Sequence, residues 1–164
     1  MSAIDDILEH NARFAAGFEH GTLGAQPTSG VVVVTCMDAR IDPALALGFA
    51  PGDAHVLRNA GGLVTDDVVR SVAVSQHALG TRDVMVIQHT RCGMHGLDEE
   101  ALAKQIWPPG TPPDQTVRLG AFTDLDDSVR TSVARLRSSP LLAHRDSVRG
   151  FVYDVETGLV REVS

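Results

Sequence analysis

The sequence predicts an α/β protein with a doubly wound, mostly parallel central sheet, helices on both faces and an antiparallel strand at its C-terminal edge. Three observations carry this expectation. Short β-branched runs, Val31–Val34 above all, have the composition of strands buried on both faces. Segments with helical spacing and capping residues alternate with those runs, the pattern of parallel strands joined by crossover helices. The chain then closes with two strand-like segments joined by Glu156-Thr157-Gly158, a tight turn that allows only antiparallel pairing.

Taken in order, Ser2 followed by Asp5 marks a helix start. Ile4, Leu8, Ala15 and Phe18 fall on one face of a helical arm expected over about residues 2–20. Gly21 to Gly30 is a loop feeding the valine strand. Asp42-Pro43 opens a short helix through Leu47, stopped by Gly48. Ala54–Leu57 is a second strand. After the Gly61-Gly62 turn, Thr65 caps a helix over Asp66–Leu79 that ends at Gly80. Val84–Ile87 is a third strand, and the proline-rich stretch from Trp107 to Asp114 an irregular excursion. Leu125, Val129, Val133 and Leu136 define a helix over about Asp124–Ser138. Ser147–Tyr153 and Leu159–Val163 are the last two strands.

The chain has 164 residues, enough for one sizeable core, so 1–164 is expected to be a single domain. No apolar run reaches the roughly 18 to 20 residues of a membrane helix, which excludes a membrane partner of that kind. Met-Ser-Ala-Ile-Asp-Asp lacks the basic and apolar regions of a secretory signal, so a cytoplasmic location is expected. A net charge of −7 with scattered arginines argues against nucleic acid and leaves a small molecule as the substrate. Two distant cysteines are too few for a disulfide scaffold and direct attention to metal binding or catalysis.

In doubly wound sheets, ligands bind beyond the carboxyl ends of the strands. Those ends run into Thr35-Cys36-Met37-Asp38-Ala39-Arg40, Arg58-Asn59-Ala60-Gly61-Gly62 and His89-Thr90-Arg91-Cys92-Gly93. Cys36, His89 and Cys92 supply the two thiolates and one imidazole of a catalytic zinc site with one coordination position left for water. Asp38 and Arg40 stand two apart, close enough for a bidentate ion pair. Gly61-Gly62 lacks the spacing of a phosphate-binding loop, so nucleotide binding is rejected. His55, His77 and His95 are candidates to carry protons. His10, His20 and His144 read as surface residues.

Cys-x-Asp-x-Arg at 36–40 together with His-x-x-Cys-Gly at 89–93 resembles the β-carbonic anhydrases, in particular their small bacterial branch. The Arg58-Asn59-Ala60-Gly61 segment is similar too. The resemblance implies zinc-dependent, reversible hydration of carbon dioxide to bicarbonate and a proton, by zinc-bound hydroxide. It implies that Arg40 holds Asp38 off the zinc, that Asp38 accepts a proton from the zinc-bound water, and that Asp38 becomes a fourth ligand when the pair breaks. Gly93, Asn59 and Gly61 are then substrate-binding residues, Gly93 through its backbone N–H. Arg91 stands where relatives often carry an acidic or small residue, and its default place is in solvent.

Relatives with a bicarbonate-inhibited closed form resemble one another in a Trp at the position of Val33, so an open site is expected. The first helix with Phe14 and Phe18 looks like the arm that grips a second protomer, which implies a homodimer or a dimer of dimers. Similar proteins hydrolyse carbonyl sulfide or carbon disulfide with the same ligands, and this is the alternative function. A non-catalytic protein with structural zinc is a weaker one, opposed by the presence of Asp38 and Arg40.

Overall fold

Five strands form one sheet in the order β2-β1-β3-β4-β5 in a computed structural model that describes residues 2–107, 110 and 118–164. β1 (Val31–Cys36) lies parallel to both β2 (Ala54–Asn59) and β3 (Asp83–His89). β4 (Val148–Tyr153) continues the parallel order beside β3, and β5 (Val160–Val163) pairs antiparallel to β4. The connection from β1 goes one way to β2, and the chain then returns across β1 to place β3 on its other side. That reversal opens a crevice at the carboxyl ends of β1 and β3.

The helices start where side chains relieve unpaired N–H groups. In α1 (Ala3–Ala15), Ser2 Oγ accepts from the Asp5 N–H at 3.3 Å and Asp5 accepts from the Ser2 N–H at 2.7 Å. Asp42 accepts from the Leu45 N–H at the head of α2 (Pro43–Leu47), and Thr65 from the Val68 N–H at the head of α3 (Asp66–Leu79). Gly48 and Gly80 end these two helices in the left-handed conformation. Asp124 accepts from the Asp127 N–H to start α5 (Leu125–Ser138).

One helix end, three strand ends and one additional helix differ from the sequence expectation. α1 stops at Ala15, because the N–H groups of Gly17 and Phe18 turn to partners three residues back and no residue of the helix is buried to hold a longer one. An extra helix, α4 (Glu99–Ile106), is capped by Asp98, whose carboxylate accepts from the Ala101 N–H at 3.0 Å. The Asp98-Glu99-Glu100 start and the spacing of Leu102, Ala103 and Ile106 on one face are signals of it that the sequence reading passed over. Strands β1, β2 and β3 each run two residues beyond the predicted Val34, Leu57 and Ile87, so Cys36 and His89 are terminal strand residues. The proline-rich excursion falls largely outside the described residues.

The valine run fills both faces of the sheet. Val32 and Val34 pack with Val84 and Val86 against α3 and α5, while Val33 packs with Ile87 and Phe151 on the opposite face. Each of Val32, Val33 and Val34 is fully buried, and such burial stabilises by about 1.5–3 kcal/mol per side chain.

A one-turn 3-10 segment, Ala60–Gly62, then crosses the ends of β1 and β3. Gly62 has φ +63°, and a Cβ there would lie 2.9 Å from Cys36 N and 3.1 Å from the Ile87 carbonyl oxygen, both backbone atoms. Gly62→Ala is therefore expected to destabilise the fold by about 2–4 kcal/mol in urea unfolding, the sum of left-handed strain and overpacking. Gly93→Ala, with a negative φ and no atom within 4 Å of the added methyl, is expected to change stability by less than about 1 kcal/mol in the same measurement.

Candidate metal centre

Parallel pairing of β1 with β3 brings the end of β1 beside the end of β3, and with it Cys36 beside His89. The chain then folds back at Arg91, whose φ of +54° is the one positive value at a non-glycine position among the described residues. The reversal returns Cys92 to Cys36, with the two sulfur atoms 4.0 Å apart. The ligating atoms of Cys36, His89 and Cys92 all lie within 4.8 Å of one another, and all three residues are buried.

The donor set suits a zinc ion. His89 Nδ1 is 2.9 Å from the Thr90 carbonyl, so Nδ1–H donates there and leaves the Nε2 lone pair facing the thiols. Nε2 is buried with no hydrogen-bond partner among the described residues, and a bound cation would supply one. Burial lowers the basicity of His89 and favours the neutral ligand form. Burial pushes the Cys92 thiol up to about 11, so without a metal it is protonated. The Met94 N–H, 3.5 Å from Cys92 Sγ, opposes that shift and is placed to donate to a thiolate.

Asp38 stands at the rim. Its Oδ2 is 3.7 Å from His89 Nε2, which places the carboxylate beside the three ligands. Arg40 grips it with both arms, Nε donating to Oδ1 at 2.9 Å and Nη2 to Oδ2 at 2.7 Å, while the Arg40 backbone N–H donates to Oδ1 at 3.0 Å. These bonds from Arg40 hold the Asp38 carboxyl well below the usual carboxylate range. Arg40 Nη2 also donates to the Arg91 carbonyl at 2.9 Å. A second guanidinium works on the backbone, Arg58 donating to the carbonyls of Cys36 at 2.9 Å and Asp38 at 2.8 Å.

A cavity of about 330 Å³ opens onto the cluster. Met37, Asp38 and Ala39 form one wall, Ala60 and Gly61 a second, and Gly93 and Met94 a third, with Cys36 and Cys92 at its base. Of the residues expected to bind substrate, Gly61 and Gly93 line this cavity. Asn59 does not; its side chain both donates to the Leu63 carbonyl at 2.8 Å and accepts from the Leu63 N–H at 2.9 Å, bracing the turn that carries Gly61. The sequence reading missed the thioether walls of Met37 and Met94 and the clamp by Arg58. A bidentate clamp on carbonyls 22 and 20 residues away has no local signature.

His55, His77 and His95 are each tied down elsewhere, to Ser75 and Ala25, to Leu141 and to Thr123 respectively, and none lines the cavity. Arg91 is exposed and pairs with Glu156 at 2.9 Å. Val33 is buried in β1, away from the cavity lining.

Because zinc takes thiolate ligands and the Cys92 thiol is protonated without a metal, zinc uptake at neutral pH is expected to release at least about one proton per ion. Affinity then rises with pH, since deprotonation of the thiols precedes ligation. Proton release measured with an indicator dye on titration of the metal-free protein checks this, and release of fewer than about one proton would contradict the proposed ligand set.

A family model described as carbonic anhydrase matches residues 31–106, which span both ligand motifs. "Beta-carbonic anhydrase 1" of Mycobacterium tuberculosis is 39% identical over 173 residues, covering 100% of this chain and 99% of the relative. A carbon disulfide hydrolase of Acidithiobacillus thiooxidans is 34% identical over 148 residues, covering 79% of this chain and 74% of its own length. The crystal structure of carbonic anhydrase from Streptococcus mutans superposes with a TM-score of 0.91 at 40% identity, over 100% of this chain and 99% of that one. With the similarity extending from end to end and the Cys-His-Cys cluster at the strand ends, the chain belongs to the β-carbonic anhydrase family.

Proposed function

We propose that this protein catalyses the reversible hydration of carbon dioxide to bicarbonate and a proton, with one zinc ion held by Cys36, His89 and Cys92. The observation that carries the reading is the buried, unpartnered His89 Nε2 facing two thiols 4.0 Å apart, with an arginine-held carboxylate at the rim. Zinc bound there would supply the Lewis acidity that activates a water for addition to the carbon of carbon dioxide.

The chain's own residues do the rest. Asp38, ionised by its contacts with Arg40, accepts the proton at Oδ2 and orients the attacking oxygen. Arg40 keeps that carboxylate turned toward itself, and without Arg40 Asp38 would be free to join Cys36, His89 and Cys92 in holding the metal. Gly93 leaves its backbone N–H approachable at the cavity wall for a bicarbonate oxygen, and Gly61 lets a substrate oxygen come close on the other side. The methionine and alanine walls favour a small uncharged substrate over a charged one.

The same cavity would admit carbonyl sulfide or carbon disulfide, and a carbon disulfide hydrolase is among the relatives. Similarity to a β-carbonic anhydrase over 100% of the chain, against 79% for that hydrolase, favours carbon dioxide.

The protein is further proposed to work as a homodimer in the cytoplasm, residues 1–164 forming one domain. Ile4, Ile7, Leu8, Phe14 and Phe18 are each at least half exposed, an apolar stripe that nothing among the described residues covers. Two free thiols 4.0 Å apart need a reducing compartment to stay available to a metal.

Stopped-flow hydration of carbon dioxide by the zinc-loaded protein tests the reading. Asp38→Asn is expected to lower kcat/KM by about a hundredfold or more, the range for losing a positioned proton acceptor. Two thiolates and a neutral imidazole cancel the charge of a divalent ion, so activity is expected to rise from mildly acidic into alkaline solution; a flat profile would count against the ligand set. Faster release of hydrogen sulfide from carbonyl sulfide than hydration of carbon dioxide would move the assignment to the sulfur substrate. Leu8→Asp is expected to convert dimers to monomers in sedimentation velocity, and unchanged dimers would remove α1 from the interface.

A further inference from the structure

The proposed chemistry leaves Arg91 without a task, although its backbone is in a conformation that L side chains rarely adopt. Its two ends reach different parts of the molecule. The carbonyl accepts from Arg40 Nη2 at 2.9 Å, the same nitrogen that donates to Asp38 Oδ2 at 2.7 Å. The guanidinium pairs at 2.9 Å with Glu156, in the turn between β4 and β5.

That turn docks along the metal loop through neighbouring contacts as well. The Thr90 N–H donates to the Tyr153 carbonyl at 3.0 Å, and the Val155 N–H donates to Thr90 Oγ1 at 3.1 Å. Tyr153 and Val155 pack against the cluster of Cys36, Ile41 and Cys92. Backbone from residue 153 to 156 is therefore a brace against which the left-handed bend at Arg91 is set.

We infer that Arg91 is a positioning residue: its ion pair with Glu156 holds the bend that aims its carbonyl at Arg40, and so keeps Arg40 on Asp38 and Asp38 off the metal. This rests on the zinc reading above. The order of contacts is Glu156 to the Arg91 side chain, the Arg91 carbonyl to Arg40, and Arg40 to Asp38. Relaxation of Arg91 to a negative φ would rotate its peptide and withdraw the carbonyl. Arg40 would lose the contact that fixes its direction, and its grip on Asp38 would loosen.

Charge exchange tests the chain. Arg91→Glu and Glu156→Arg each replace attraction by repulsion and are expected to lower kcat/KM for carbon dioxide by about tenfold, the scale of reversing one exposed ion pair. Thiocyanate binding to the cobalt-substituted protein at fixed pH, read from the visible spectrum, is expected to weaken by a similar factor as Asp38 takes up the coordination position. The double exchange should recover most of both losses. Arg91→Gly should fall between the parent and the two reversals, because glycine adopts a positive φ without strain but has no side chain to hold it there.

Thermal midpoints of all variants should stay within a few degrees of the parent, which separates positioning from unfolding. Full activity and thiocyanate affinity in both reversals would overturn the inference, as would losses that the double exchange does not recover. An Arg91→Gly variant as impaired as Arg91→Glu would also overturn it, and would assign the effect to the charge of Arg91. Thiocyanate binding needs no substrate, so a parent protein inactive on carbon dioxide would refute the proposed reaction and leave this contact chain testable.

Discussion

The parallel ladder between β1 and β3 is the constraint on which the site depends. It fixes Thr35 opposite Ile87, and so sets the last residue of β1 against the last two of β3, where Cys36 meets His89. Neither residue could reach the other through local structure, because more than fifty residues separate them. Register does this work, and register is set by which side chains face each layer. Val32 and Val34 go to one layer and Val33 to the other, so a slip by one residue would exchange all of them. The valine run is thus a packing element and also the device that delivers a thiol to the correct place.

Around this ladder, three kinds of backbone freedom complete the centre. Gly62 lets the segment after β2 lie directly on Cys36 and Ile87, at a distance no side chain tolerates. Arg91 reverses the chain after β3 so that Cys92 returns to Cys36. The Thr90 carbonyl selects the tautomer of His89 and thereby decides which nitrogen faces the thiols. The placement of the three candidate ligands thus depends on neighbouring backbone that contributes no ligand atom.

Two arginines divide the control of Asp38. Arg58 holds its carbonyl and that of Cys36, tying the rim to the strand end. Arg40 holds its carboxylate. The Asp38 backbone is thus held by one guanidinium and its carboxylate by the other, so the two are fixed independently. The apolar character of the remaining cavity wall limits what else the carboxylate could pair with.

Much of this was legible from residue order. The two motifs, their placement after strands, the capping residues Ser2, Asp42 and Thr65, and the closing antiparallel pair are local features whose physical cause lies within a few residues. Cys36, His89, Cys92, Asp38 and Arg40 could therefore be singled out as a group, and the structure brings them together. Other features were decided only by tertiary structure. Arg58 finds carbonyls twenty or more residues away, Met37 and Met94 line one cavity, Asn59 turns to Leu63 instead of the cavity, and Glu156 meets Arg91. A side chain's direction and its distant partner depend on how the strands register and the turns close. Local sequence carries the propensity for each strand and turn, while the contacts among them exist only once the whole sheet has formed.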